Sequence, residues 1–104
     1  MYLLNSIIIN NLSEIKRLLN QYKVKRAYAF GSVCTDEFNE QSDIDLLIAF
    51  HDGLNPIEYG DNYFSLANAL EKFFHRHVDL VTEPMLRNPY FIESVNETKM
   101  PIYE

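Results

Sequence analysis

The fold is decided between Ala27 and Phe50, which read Ala27-Tyr28-Ala29-Phe30-Gly31-Ser32, then Val33 to Ser42, then Asp43-Ile44-Asp45-Leu46-Leu47-Ile48-Ala49-Phe50. An apolar segment stops at a small-residue turn. Ten residues intervene, and a second apolar segment opens with two carboxylates. On a strand, residues i and i+2 share a face, so Asp43 and Asp45 project together and Ile44 to the other side. Neighbouring carboxylates repel, and a divalent cation relieves that cost. Mg²⁺ in particular favours one or two carboxylates plus waters and substrate phosphates. Gly31 lets another group approach the backbone closely, and Ser32 adds a hydroxyl. A helix starting at that turn would aim its first amides at the same spot and favour an anion. An anion-binding turn opposite a cation-binding pair suits a nucleotide carried with Mg²⁺.

Working outward, Val24 to Phe30 and Ser42 to Phe50 read as the first two strands. Leu12, Ile15, Leu18, Leu19 and Tyr22 recur at helical spacing and predict an amphipathic helix over 12–22. Asn11, with Glu14 three residues on, fits its N-cap. Met1 to Ile9 fits a short strand or the first turns of a helix equally well. His51 to Pro56 reads as a loop, and Asp61 to Phe74 as a helix capped by Asp61, with Glu71 and Lys72 toward solvent. His77 to Thr82 reads as a third strand, with Val78 and Leu80 on one face and His77, Asp79 and Val81 on the other. Pro84 ends it. Pro89 to Ser94 predicts a last short helix with Tyr90, Phe91 and Val95 on its packing side, and Lys99 to Tyr103 a closing strand. Tyr59, Tyr63 and Tyr90 also stand near loops where a partner could reach them. The pattern predicts an α+β or α/β domain, a mixed sheet of three or four strands with helices packed on it.

The 104 residues suit a single domain, 1–104, with one modest core. A net charge of −6 argues against direct, sequence-independent nucleic-acid binding, which needs Lys and Arg against phosphates. No apolar run nears the roughly 20 residues of a membrane span. Met1-Tyr2-Leu3-Leu4 lacks the basic start of a secretory signal. The single Cys34 forms no internal disulfide, and a cytoplasmic location follows. Cys34 reads as a small buried hydrophobe and His51 as loop. His77, which shares a face with Asp79, and His75 read first as surface histidines.

Gly31-Ser32, the ten-residue spacer and Asp43-Ile44-Asp45 resemble the minimal nucleotidyltransferases of the polymerase-beta superfamily. Asp79 in Val78-Asp79-Leu80-Val81 matches that family's third acidic residue on a later strand. The shortness of the chain brings the resemblance closest to the MNT-type subfamily, partners of HEPN-domain proteins in toxin–antitoxin pairs. The resemblance implies a polymerase-beta-like fold and a Mg²⁺-dependent protein adenylyltransferase with ATP as donor. It implies a tyrosine hydroxyl of a HEPN toxin as acceptor, within a hetero-oligomer. Asp43, Asp45 and Asp79 would be catalytic and would bind two Mg²⁺ ions, and Gly31 and Ser32 would hold the nucleotide's phosphates. Relatives often carry a basic pair after Gly-Ser, where this chain has Val33-Cys34-Thr35-Asp36-Glu37. Lys72 or Arg76 are the cations left to supply that charge. Two other functions stay open: an antitoxin that neutralises a HEPN partner by binding alone, and nucleotidyl transfer to a small molecule.

Overall fold

The computed structural model describes residues 3–104. Met1 and Tyr2 lie outside the described residues, so the choice left open for Met1 to Ile9 is answered only from Leu3 onward. There the chain is helical: α1 spans Ser6–Ile9, with the Asn5 side chain accepting from the Ile7 amide. The amphipathic helix α2 spans Leu12–Gln21 and buries Ile15, Leu18 and Leu19. Asn11 sits at its N-cap position, but its side chain makes no capping bond there. It donates instead to the Ile7 carbonyl at 2.7 Å, tying α1 to α2.

Strand β1 covers Val24–Phe30, and a single 3₁₀ turn, Gly31–Cys34, follows it. Strand β2 covers Ile44–Phe50, so Asp43 stands just before the strand. Helix α3 runs Pro56–Phe74, starting well before Asp61. The reason is local: Asn55 and Glu58 form a reciprocal capping box with Pro56 in the first turn. Part of the stretch read as loop is therefore helix, and Asp61 lies inside it. Strand β3 is Val78–Thr82. Helix α4 runs Pro89–Thr98, a turn longer than the spacing predicts, and β4 is Met100–Tyr103.

The four strands form one sheet in the order β3-β2-β1-β4. β1 pairs antiparallel with β2 and with β4, whereas β2 pairs parallel with β3. A parallel pair needs a crossover, and α3 supplies it. Strand alternation divides the side chains between two faces. Ala27, Ala29, Ile44, Leu46, Ile48, Val78 and Leu80 pack with residues of α2 and α3 in the main core. On the other face a smaller cluster forms from Phe30, Leu47, Val81 and Val95, the last from α4. Phe91 meets Phe30 edge-on with centroids 6.0 Å apart, but Tyr90 does not pack inward: it is 83% exposed. Tyr59 and Tyr63 turn inward instead, Tyr59 edge-on to Phe50 and Tyr63 donating to the Leu80 carbonyl at 2.6 Å.

The capping box yields a direct comparison. Asn55→Ala should cost about 1 kcal/mol, lowering Tm by roughly 4–8 °C. Asp61→Ala, in mid-helix and exposed, should leave Tm nearly unchanged. Thermal unfolding followed by circular dichroism reads both.

Candidate active site

The register places three residues in one row across the sheet: Phe30 opposite Asp45 on the antiparallel side, and Asp45 beside Asp79 on the parallel side. Asp45 and Leu47 share a face by alternation, as do Asp79 and Val81. Both carboxylates therefore lie on the face that carries α4. Asp45 is half-buried, while Asp79 and Asp43 are exposed. Burial, then the charges of Asp79 and Asp43, push the Asp45 carboxyl up to about 6, and His77 pulls it the other way. The sequence-predicted carboxylates are thus close enough to act on one another.

Gly31 follows Phe30 and abuts the same row. Its φ is +73°, and a Cβ there would lie 2.5 Å from Asp45 Oδ2. Only glycine fits that approach, on backbone angle and on space. The Gly31 amide is already engaged, donating to Thr98 Oγ1 at 2.7 Å. Sequence reasoning missed Thr98, because a threonine at the end of a distant helix carries no local signal. Half-buried Ser32 is the next residue, and its carbonyl accepts from the amide and hydroxyl of Thr35 at 2.9 and 3.0 Å.

The neighbouring residues sort cleanly. Cys34 is fully buried, and burial with the nearby Asp45 charge lifts its thiol to about 11, so it is no nucleophile. His75 adopts a left-handed conformation, φ 56°, and caps the end of α3. His51 is exposed, and its amide donates to the Lys23 carbonyl. His77 Nδ1 sits 2.8 Å from Glu71 Oε2, which also accepts the Val78 amide at 3.1 Å. Glu71 thus serves the edge of β3 rather than only facing solvent. Arg76 spends its guanidinium on loop carbonyls and on the Phe38 ring, so its charge is tied to that loop. Lys72 is exposed on α3.

Among the described residues, no three His, Cys, Asp or Glu side chains converge closely enough to cage an ion unaided. Mg²⁺ needs no such cage, since one or two carboxylates commonly hold it with phosphate oxygens and waters. Asp45 and Asp79 are hard oxygen donors paired in register across β2 and β3, and their charges repel. They fit an ion that arrives with a nucleotide.

Comparison with known proteins fits this geometry. The model of the family described as polymerase beta nucleotidyltransferase matches residues 13–104. The chain belongs to that family. It is a nucleotidyltransferase, with the polymerase-beta-like fold that the Gly-Ser and Asp-x-Asp pattern implied. A relative from Methanocaldococcus jannaschii, named a candidate protein adenylyltransferase, is 36% identical over 97 residues, which cover 86% of this chain and 95% of the relative. A solved structure described as a candidate minimal nucleotidyltransferase superposes with a TM-score of 0.72 at 30% identity, covering 92% of this chain and 93% of that one. The MNT antitoxin in a complex with the tri-AMPylated HEPN toxin of Shewanella oneidensis matches at TM-score 0.62 and 25% identity, covering 90% of this chain and 70% of that one.

Two outcomes follow from the row. Gly31→Ala should lower stability by about 1–3 kcal/mol, the cost of a strained left-handed residue, and disturb the Asp45 carboxylate as well. Because Asp45 has a folded pKa above its unfolded one, its contribution is full below about pH 4 and is lost as pH rises toward 6. Asp45→Asn should therefore stabilise the metal-free protein at pH 7, on the order of 1–3 kcal/mol, and not at pH 4. Urea unfolding at the two pH values checks this.

Proposed function

We propose that this chain is the antitoxin of a HEPN/MNT pair and transfers AMP from ATP to a tyrosine hydroxyl of its HEPN-type partner. The observation that carries the reading is the pairing of Asp45 with Asp79 in one row beside Gly31. The tri-AMPylated HEPN toxin in the complex with an MNT antitoxin supports it by analogy. In this reading residues 1–104 act as one minimal nucleotidyltransferase domain in the cytoplasm, in a hetero-oligomer with the toxin. No helix among the described residues is long and apolar enough to cross a membrane.

In this reading Asp43, Asp45 and Asp79 would hold two Mg²⁺ ions together with the nucleotide's phosphates. Bound there, Mg²⁺ would neutralise triphosphate charge and make the acceptor hydroxyl more acidic. Asp79, exposed at the outer strand, accepts the hydroxyl proton once the acceptor is within hydrogen-bond reach. The turn at Gly31 and Ser32 orients the β- and γ-phosphates. The tyrosine oxygen bonds to the α-phosphorus, the bond to the bridging oxygen breaks, and pyrophosphate leaves with the electron pair.

A second reading has its own observation. No cation follows Gly31-Ser32, since Val33 and Cys34 are fully buried apolar residues there. That favours an antitoxin acting by binding alone. Incubation with labelled ATP, Mg²⁺ and the product of the neighbouring gene, as the proposed HEPN-type toxin, separates the readings. Label on the toxin, lost in the Asp43→Ala, Asp45→Ala double variant, is expected. No label on the toxin, or label undiminished in the double variant, rules the catalytic reading out.

A further inference from the structure

The loop between the 3₁₀ turn and β2 carries Asp43 at its end and has no regular secondary structure from Phe38 to Asp43. Its internal bonds are local: Asn39 and Ser42 exchange a backbone and a side-chain bond, each at 3.1 Å, and the Gln41 amide donates to Asn39 Oδ1 at 2.8 Å. These bonds give the loop a shape but do not fix it to the sheet. Arg76, between α3 and β3, does. Its Nη1 donates to the Asn39 carbonyl at 3.1 Å and to the Ser42 carbonyl at 2.9 Å, and its Cζ lies 4.7 Å above the Phe38 ring.

The Ser42 carbonyl belongs to the peptide unit whose nitrogen is Asp43's own. On the far side of Asp43, the Ile44 amide donates to the His77 carbonyl at 3.1 Å. Asp43 is thus bracketed by two bonds from consecutive residues, Arg76 and His77. Ile44 is held by the strand ladder in any case. Ser42 lies outside the ladder, bonded to Asn39 of its own loop and, beyond that loop, to the Arg76 guanidinium.

We propose that Arg76 is the positioning residue for Asp43: it holds the entry to β2 so that the Asp43 carboxylate stands beside Asp45. It acts through the loop and leaves triphosphate charge to other groups. The inference rests on the reading of Asp43 as a metal ligand. Arginine suits the task because one planar group donates to two carbonyls while stacking on a ring, which an ammonium reproduces only in part.

The test uses the full chain with ATP analogue and Mn²⁺, whose binding is read by electron paramagnetic resonance apart from any turnover. Arg76→Ala should weaken Mn²⁺ binding about tenfold, the low end of what losing an outer partner of a metal ligand costs. Arg76→Lys should weaken it less. In an Asp43→Ala background, Arg76→Ala should add little, because both changes remove one function. Amide exchange at Ser42 to Ile44 should quicken in Arg76→Ala, and Arg17→Ala, a remote loss of the same charge, should change neither reading. Mn²⁺ binding that depends on Asp43 but is unmoved by Arg76→Ala overturns this assignment alone. So does a loss that persists at full size in the Asp43→Ala background. Binding indifferent to Asp43 itself overturns the metal-ligand reading and this assignment with it. If Arg76→Ala fails to fold, Arg76→Lys in both backgrounds decides the same question.

Discussion

Asp45 and Asp79 stand side by side on parallel strands, two like charges in one row with one of them half-buried. Folding alone would not favour that arrangement, since apolar residues at both positions would extend the small cluster of Phe30, Leu47 and Val81. Much of the architecture keeps the pair together. The parallel register needs the long crossover of α3, and that helix buries Leu66, Leu70 and Phe74 to stay in place. The last strand of the sheet row on the other side, β1, ends at Phe30 so that Gly31 can pass within contact of Asp45. Burial, and after it the charges of Asp79 and Asp43, raise the Asp45 carboxyl.

The rest of the surface leaves the α4 side as the approach to that row. The outer edge of β3 is partly covered by α3, where Glu71 accepts the Val78 amide and Tyr63 donates to the Leu80 carbonyl. The other outer strand, β4, carries Pro101, which cannot donate to an added strand. Strand addition at either edge is thereby discouraged. In the proposed reaction, an acceptor hydroxyl reaches Asp79 over the sheet face beside α4. The exposed Tyr90 and the rim of Phe91 lie on that helix. Thr98, at its other end, grips the Gly31 amide. The helix thus braces the turn and forms the wall of the approach.

Most of the fold was legible from periodicity. β1 falls where its apolar run predicts, and α2, β2 and β3 differ from their sequence readings only at their ends. Alternation alone put Asp79 opposite Val78 and Leu80. The start of α3 was misread because Asp61 looks like a cap in isolation, while Asn55-Pro56-Ile57-Glu58 forms the stronger local signal. Tyr90, expected on the packing side of α4, is exposed, because spacing names a helix face without saying what lies against it. What the sequence hid were contacts between distant segments. Thr98 on Gly31 and Arg76 on the Ser42 carbonyl join residues 67 and 34 positions apart. The cation sought beside Gly31-Ser32 and the arginine found on the Ser42 carbonyl are the clearest case: charge was countable in the sequence, but its partners were not.

In the proposed reaction the Asp45–Asp79 row and the Gly31 turn form one site for a nucleotide and its cation together. Isothermal titration of the purified chain with ATP, with and without Mg²⁺, tests this most directly. Binding should require Mg²⁺ and be abolished by Asp45→Asn. Equal binding of ATP without the cation, or undiminished binding by Asp45→Asn, would contradict it.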